Sequence, residues 1–112
     1  MLQRNSKLTL NMHIEGRTLL MKAAFEGDLQ LVISLLREGS DVNARDKDGD
    51  TALMFAAHRG HYLIVKTLLA HGADIFALAN NGWTAKRAGR EGQHGDVTQL
   101  LERAEKKLLE LD

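Results

Sequence analysis

The feature that most constrains this chain is an internal copy of itself. Shifted by 33 residues, positions 13–45 fall onto positions 46–78 with 13 identities and no gap. Gly16 meets Gly49, Thr18 meets Thr51, Leu20 and Met21 meet Leu53 and Met54, Ala23 and Ala24 meet Ala56 and Ala57, and Gly27 meets Gly60. The match continues with Val32 on Val65, Leu35 and Leu36 on Leu68 and Leu69, Gly39 on Gly72, Asp41 on Asp74, and Ala44 on Ala77. A period of this length belongs to stacked helical repeats, in which one unit buries its apolar face only against the next and about three units are needed for stability. The chain is therefore read as an N-terminal arm at 1–12 followed by repeats at 13–45, 46–78 and 79–112.

Each repeat predicts two antiparallel helices. Thr18 is placed to accept a first-turn N–H and cap a helix over residues 19–26, which Gly27 ends by taking a left-handed turn. Leu29, Val32, Ile33, Leu35 and Leu36 then recur at helical spacing up to a stop at Gly39. The second copy predicts helices over 52–59 and 62–71, divided by Gly60 and closed by Gly72. Glu15 with Gly16, Asp48 with Gly49 and Asn81 with Gly82 occupy the same slot, which predicts three hairpin tips along one edge.

The third copy departs from the pattern. Thr84 follows Thr51 by 33 residues, but Gly92, Val97, Leu100 and Leu101 match Gly60, Val65, Leu68 and Leu69 at 32, which reads as one residue missing from the first helix. Lys86 and Arg87 stand where the other copies have Leu and Met, as expected of a terminal repeat with a solvated face. Ala104 replaces the glycine stop, so the last helix runs on with Val97, Leu101, Ala104, Leu108 and Leu111 as a narrow stripe. That stripe reads either as a cap on its own repeat or as a seam for a second chain. At the other end Leu8, Leu10, Met12 and Ile14 alternate with polar residues. The alternatives for this arm are a strand that covers the open end or pairs with another subunit, and a frayed leader.

Composition narrows the function. Fifteen Lys and Arg balance fifteen Asp and Glu, so no excess cationic charge exists to neutralise nucleic-acid phosphates or to seek an anionic membrane. The absence of cysteine excludes a disulfide, a thiolate metal site and a thiol nucleophile, and suits a reducing compartment. No secretory signal and no apolar run of about 18 residues is present, and the expectation is a soluble cytoplasmic protein.

The segments GDTALMFAAHRGHYLIVKTLLAHGAD at 49–74, GRTLLMKAAFEGDLQLVISLLREGSD at 16–41 and the weaker NGWTA with GREGQHGDVTQLL at 81–101 resemble the ankyrin repeat family. The resemblance implies an all-α solenoid of stacked antiparallel helix pairs joined by β-hairpin-like loops, with three repeats and a C-terminal capping helix. It also implies a protein-binding scaffold. The family's proline after the capping threonine is Leu19, Ala52 and Ala85 here, and its following histidine is Met21 and Met54. These exchanges give up a pre-set φ and a hydrogen-bonded link, and put adaptable packing in their place. Family contacts come from hairpin residues beside the glycine and from the two positions before the inter-helix glycine. By register these are Ile14, Glu15, Arg17, Phe25 and Glu26, then Lys47, Asp48, Asp50, His58 and Arg59, then Asn80, Asn81, Trp83, Arg90 and Glu91. Phe25 and Trp83 are large apolar groups that packing does not demand, and aromatic and Arg side chains are the usual interface anchors. The alternative for Trp83 is a lid over the thinned third repeat.

Chemistry finds little support in the residues. His58 and His61 are three apart but divided by a helix-ending glycine, and structural zinc wants four ligands. His71 precedes a glycine stop and is expected to meet its helix C-terminus. No Ser has a His and a carboxylate at a recognisable spacing, and no GK[ST] follows the glycines, so neither an enzyme nor a cofactor is expected. The expectation is a module that binds a partner protein through hairpin tips and concave helix face, monomeric rather than homodimeric. Its rivals are a self-assembling structural protein and a regulatory domain cut from a larger one.

Overall fold

The computed structural model describes residues 16–110. The arm at 1–12, Ile14, Glu15 and Leu111 lie outside the described residues. Six helices make up the rest: α1 (Leu19–Glu26), α2 (Leu29–Arg37), α3 (Ala52–Arg59), α4 (Tyr62–Ala70), α5 (Ala85–Glu91) and α6 (Gly95–Leu109). There are no strands among them, so the fold is all-α. Helices α1, α3 and α5 pack on one another in order to form one layer, and α2, α4 and α6 form the second, each pair being joined face to face.

Local chemistry sets the helix starts. Thr18, Thr51 and Thr84 are extended, with ψ of 166°, 167° and 168°, and their hydroxyls accept the N–H of Met21, Met54 and Arg87. A capping threonine supplies a partner to one of the four orphan donors at each helix start. At Thr18 the box is closed by sulfur, since its N–H donates to Met21 Sδ at 3.5 Å. The methionine in the histidine slot thus packs at 1% exposure and also returns a weak bond to the cap.

The hairpins are single rungs. Asp46 N–H donates to the Asp50 carbonyl (3.0 Å), and Ala79 N–H donates to the Trp83 carbonyl (2.9 Å), each closed by a glycine of positive φ. Successive tips are stitched together. Asn80 N–H donates to the Asp48 carbonyl (2.9 Å) and its side-chain amide to the Lys47 carbonyl (3.1 Å). Below, Asn43 spans two repeats through the Gly72 carbonyl and the Asp74 N–H.

The third repeat corrects the sequence reading, because no residue is missing from it. Leu19, Ala52 and Ala85 open the first helices and Leu29, Tyr62 and Gly95 the second, each 33 residues after its counterpart. The turns agree. His61 N–H donates to the Ala56 carbonyl and His94 N–H to that of Gly89, so Gln93 occupies the place of Gly60 and carries its left-handed backbone at φ 62°. Gly92, matched to Gly60 by identity, is right-handed at φ −79°. It is glycine for another reason: a Cβ there would run into the His58 carbonyl oxygen of the preceding helix pair. One residue therefore does the turn and its neighbour the close approach, which sequence identity alone merges.

The core follows the period. Leu20, Leu53, Leu68 and Leu101, with Val32, Val65 and Val97, are essentially sealed from water. Burying such side chains contributes about 1.5–3 kcal/mol each relative to exposure. Lys86, in the slot of Leu53, ends in an ion pair with Glu105 at 2.9 Å. Glu105 exists as a helical residue only because α6 runs past the usual stop. Of the terminal stripe, Val97 and Leu101 are buried and Ala104 is half-buried on the core, whereas Leu108 is 49% exposed. The first half of α6 is thus a cap on its own repeat, and the last turns are unpartnered among the described residues.

Candidate aromatic and arginine groove

The period also decides which side chains meet beside the first-helix layer. Positions that packing leaves free in the first helices and hairpins project there from all three repeats. Phe25 of α1 meets Phe55 of α3 edge-on, with ring centroids 6.1 Å apart at 85°. His58 of α3 tilts against Trp83 of the last hairpin at 6.4 Å. Each large ring carries a guanidinium: Arg59 over Phe25 at 4.5 Å, Arg17 over Phe55 at 5.0 Å and Arg87 over Trp83 at 5.1 Å. Aromatic pairs of this geometry contribute about 0.5–1.5 kcal/mol beyond their buried area, and exposed cation–π contacts about 0.5–1 kcal/mol.

Between the rings lies a groove of about 330 Å³, lined by Phe25, Asp50, Met54, Phe55, His58, Asn81, Trp83 and Ala88. A second hollow of about 260 Å³ adjoins it across Phe25 and Phe55, and Arg17, Lys22 and Glu26 reach it. Of the residues carried over from the sequence, Phe25, Asp50, His58, Asn81 and Trp83 line the groove, Arg17 and Glu26 line the adjoining hollow, and Arg59 lies over Phe25. Phe25 is 40% exposed, so it is not consumed by the core. Trp83 is half-buried against the core, as the lid reading has it, and also lines the groove.

Other expected residues are placed elsewhere. Lys47, Asp48 and Asn80 belong to the bonds that stitch the tips. Arg90 and Glu91 were carried over with a 32-residue offset that the structure replaces by 33, which moves the counterparts of His58 and Arg59 to Glu91 and Gly92. Arg90 instead takes the slot of Ala57 and pairs with Glu102 of α6 at 3.4 Å. Missing from the sequence reading were Phe55 and Arg87. Phe55 had a signal, since its slot holds Lys22 and Ala88 in the other copies and a variable slot with a large ring meets the criterion that picked Phe25. Arg87 was read only as a solvated surface residue.

The hairpin beside the groove carries three aspartates, of which Asp50 lines the groove itself. Asp46, almost wholly buried, accepts the N–H groups of Asp48 and Asp50 on Oδ1 (3.0 and 2.9 Å) and faces Arg17 through Oδ2 at 3.5 Å. Carboxylate oxygens of Asp46, Asp48 and Asp50 come within 4.8 Å of one another. Burial, and then the charges of Asp46 and Asp48, push the Asp50 carboxyl above its usual range, with Arg17 acting in the opposite sense. Two other histidines serve the backbone. His61 Nε2–H donates to the Phe25 carbonyl (3.1 Å) beside Gly27, and His71 Nδ1–H donates to Thr67 in its own last turn (2.9 Å), as the sequence led one to expect.

Comparison with known proteins agrees with this architecture. A family model described as ankyrin repeats, in 3 copies, matches residues 4–109, while no curated protein matches the chain. No described helix is long and apolar enough to cross a membrane. The repeated helix pairs, the threonine caps, the stitched hairpin tips and this match over nearly the whole chain lead to one conclusion: the chain belongs to the ankyrin repeat family, in general a family of non-enzymatic protein-interaction modules.

Proposed function

We propose that this protein binds a partner protein through the groove between Phe25, Phe55 and Trp83, with Arg17, Arg59 and Arg87 at its edges. One observation carries the reading: all three repeats contribute a large ring to a single groove, and each ring is only partly buried. Aromatic and Arg side chains are enriched among the residues that dominate interface energies, and a ring with only two side-chain torsions loses little entropy on binding. In this reading the hairpin tips add contacts at the rim, and the protein acts as a cytoplasmic monomer without a cofactor or catalysis of its own. The test is a set of groove variants. Arg59→Ala is expected to melt within a few degrees of the parent, and Phe25→Ala and Phe55→Ala to remain folded at 25 °C with a lowered melting temperature, Phe55→Ala the more so because it also packs on the core, while all three lose partner capture at least tenfold. Capture that survives all three places the interface elsewhere.

A second reading, self-association, is favoured by the exposure of Leu108 and Leu109 on the last turns of α6. Light scattering separates the two. A dimer that dissociates on Leu108→Glu supports assembly, and a monomer at every concentration removes it.

A further inference from the structure

We infer that the groove selects an acidic linear segment of its partner, with one large apolar side chain flanked by carboxylates. This rests on the reading of the groove as the partner site and adds its chemistry. The first observation is an accounting of cations. Arg17 is paired with Asp46 and Arg90 with Glu102, but Arg59 and Arg87 make no ion pair among the described residues. Each lies over a ring instead, Arg59 on Phe25 of the first repeat and Arg87 on Trp83 near the third, so one unpaired guanidinium stands at each end of the groove along the stack. A guanidinium seated over a ring spends none of its five N–H donors on that contact, which leaves its fork available for bidentate bonding to a carboxylate.

The second observation is size. About 330 Å³ lies at the lower end of ligand pockets, which run from about 300 to 1,000 Å³, and suits one large side chain rather than a whole helix. The walls offered to that side chain are Phe25, Met54, Phe55, Trp83 and Ala88. Only one lining residue is acidic. Asp50 sits on the hairpin wall, where its carboxylate oxygens can accept a backbone N–H of the occupant. The segment that satisfies all of these is apolar at its centre and anionic on both sides.

Fluorescence polarisation tests this with three labelled heptapeptides: Glu-Asp-Glu-Phe-Glu-Asp-Glu, the same peptide with Gly at its centre, and Lys-Lys-Lys-Phe-Lys-Lys-Lys. The first is expected to bind at least tenfold more tightly than either of the others, and to weaken as salt is raised. Arg59→Glu and Arg87→Glu should each reduce that binding tenfold or more. Arg59→Gln and Arg87→Gln, which keep size and remove only charge, give the same answer if a reversal of charge disturbs folding. Preference for the lysine peptide, with loss of its binding in Phe55→Ala, overturns the acidic inference while leaving the groove as the partner site. Equal binding to all Arg variants, or no binding of the acidic peptide at millimolar concentration, also overturns it, and the capture variants then decide the groove reading independently.

Discussion

At the scale of single residues, two adjacent positions separate two uses of the backbone. Gln93 pays for a left-handed turn that glycine serves elsewhere, and a non-glycine residue in that region costs about 1 kcal/mol or more. Gln93→Gly is therefore expected to raise stability by about 1 kcal/mol in urea denaturation; a loss of stability would mean that the side chain has a role the turn does not explain. Gly92→Ala should do the reverse. Its φ of −79° suits any residue, yet the added methyl meets the His58 carbonyl, so a loss of about 2 kcal/mol or more is expected. Gly95→Ala, where a Cβ meets nothing, serves as the control and is expected to gain a few tenths of a kcal/mol, up to about 1. Asp50 adds a pH dependence. Its carboxyl binds a proton more tightly in the folded chain than in the unfolded one, so its contribution to stability is lost as the pH rises from the usual aspartate range upward. Asp50→Asn should then melt above the parent at pH 7, and the gap should close near pH 3, where Asp50 is protonated in both states. A gap that persists at pH 3 would trace the effect to packing and not to charge.

At the scale of elements, the third repeat shows how an array is ended. Its first helix has Lys86 where the second repeat has Leu53, and its second helix is 15 residues long where the others have 9. The two departures depend on one another, because the added turns bring Glu105 to the Lys86 ammonium. The pair is only partly exposed, so it is worth more than a surface ion pair's usual near-zero value, though still modest. A double-mutant cycle with Lys86→Ala and Glu105→Ala should give a coupling of about 0.5–1 kcal/mol. Additive single effects would show that α6 is extended for some other purpose.

At the scale of the whole molecule, stability belongs to the stack rather than to any helix pair. The middle pair, α3 and α4, is packed on both sides, so Leu68→Ala should cost about 2–5 kcal/mol, a large share of the roughly 5–15 kcal/mol available to a domain. Hydrogen exchange should then rise in α1 and α5 as well as in α4; a loss confined to α4 would mean that the repeats unfold separately. The sequence by itself determined the architecture, since a period of 33 carries its own caps, stops and apolar faces, and local rules place Thr18, Thr51 and Thr84 alike without reference to anything distant. Resemblance to the family, carried over by register, also named Phe25, Asp50, His58, Asn81 and Trp83, which line the groove. Only the tertiary structure decided that Gln93 and not Gly92 makes the last turn, because a glycine looks the same in sequence whether it answers to a dihedral angle or to a neighbour's carbonyl. It alone added Phe55 and Arg87 to the groove and moved Arg90 out, because ring and guanidinium meet across repeats, and a contact between separate units is written in neither unit's sequence.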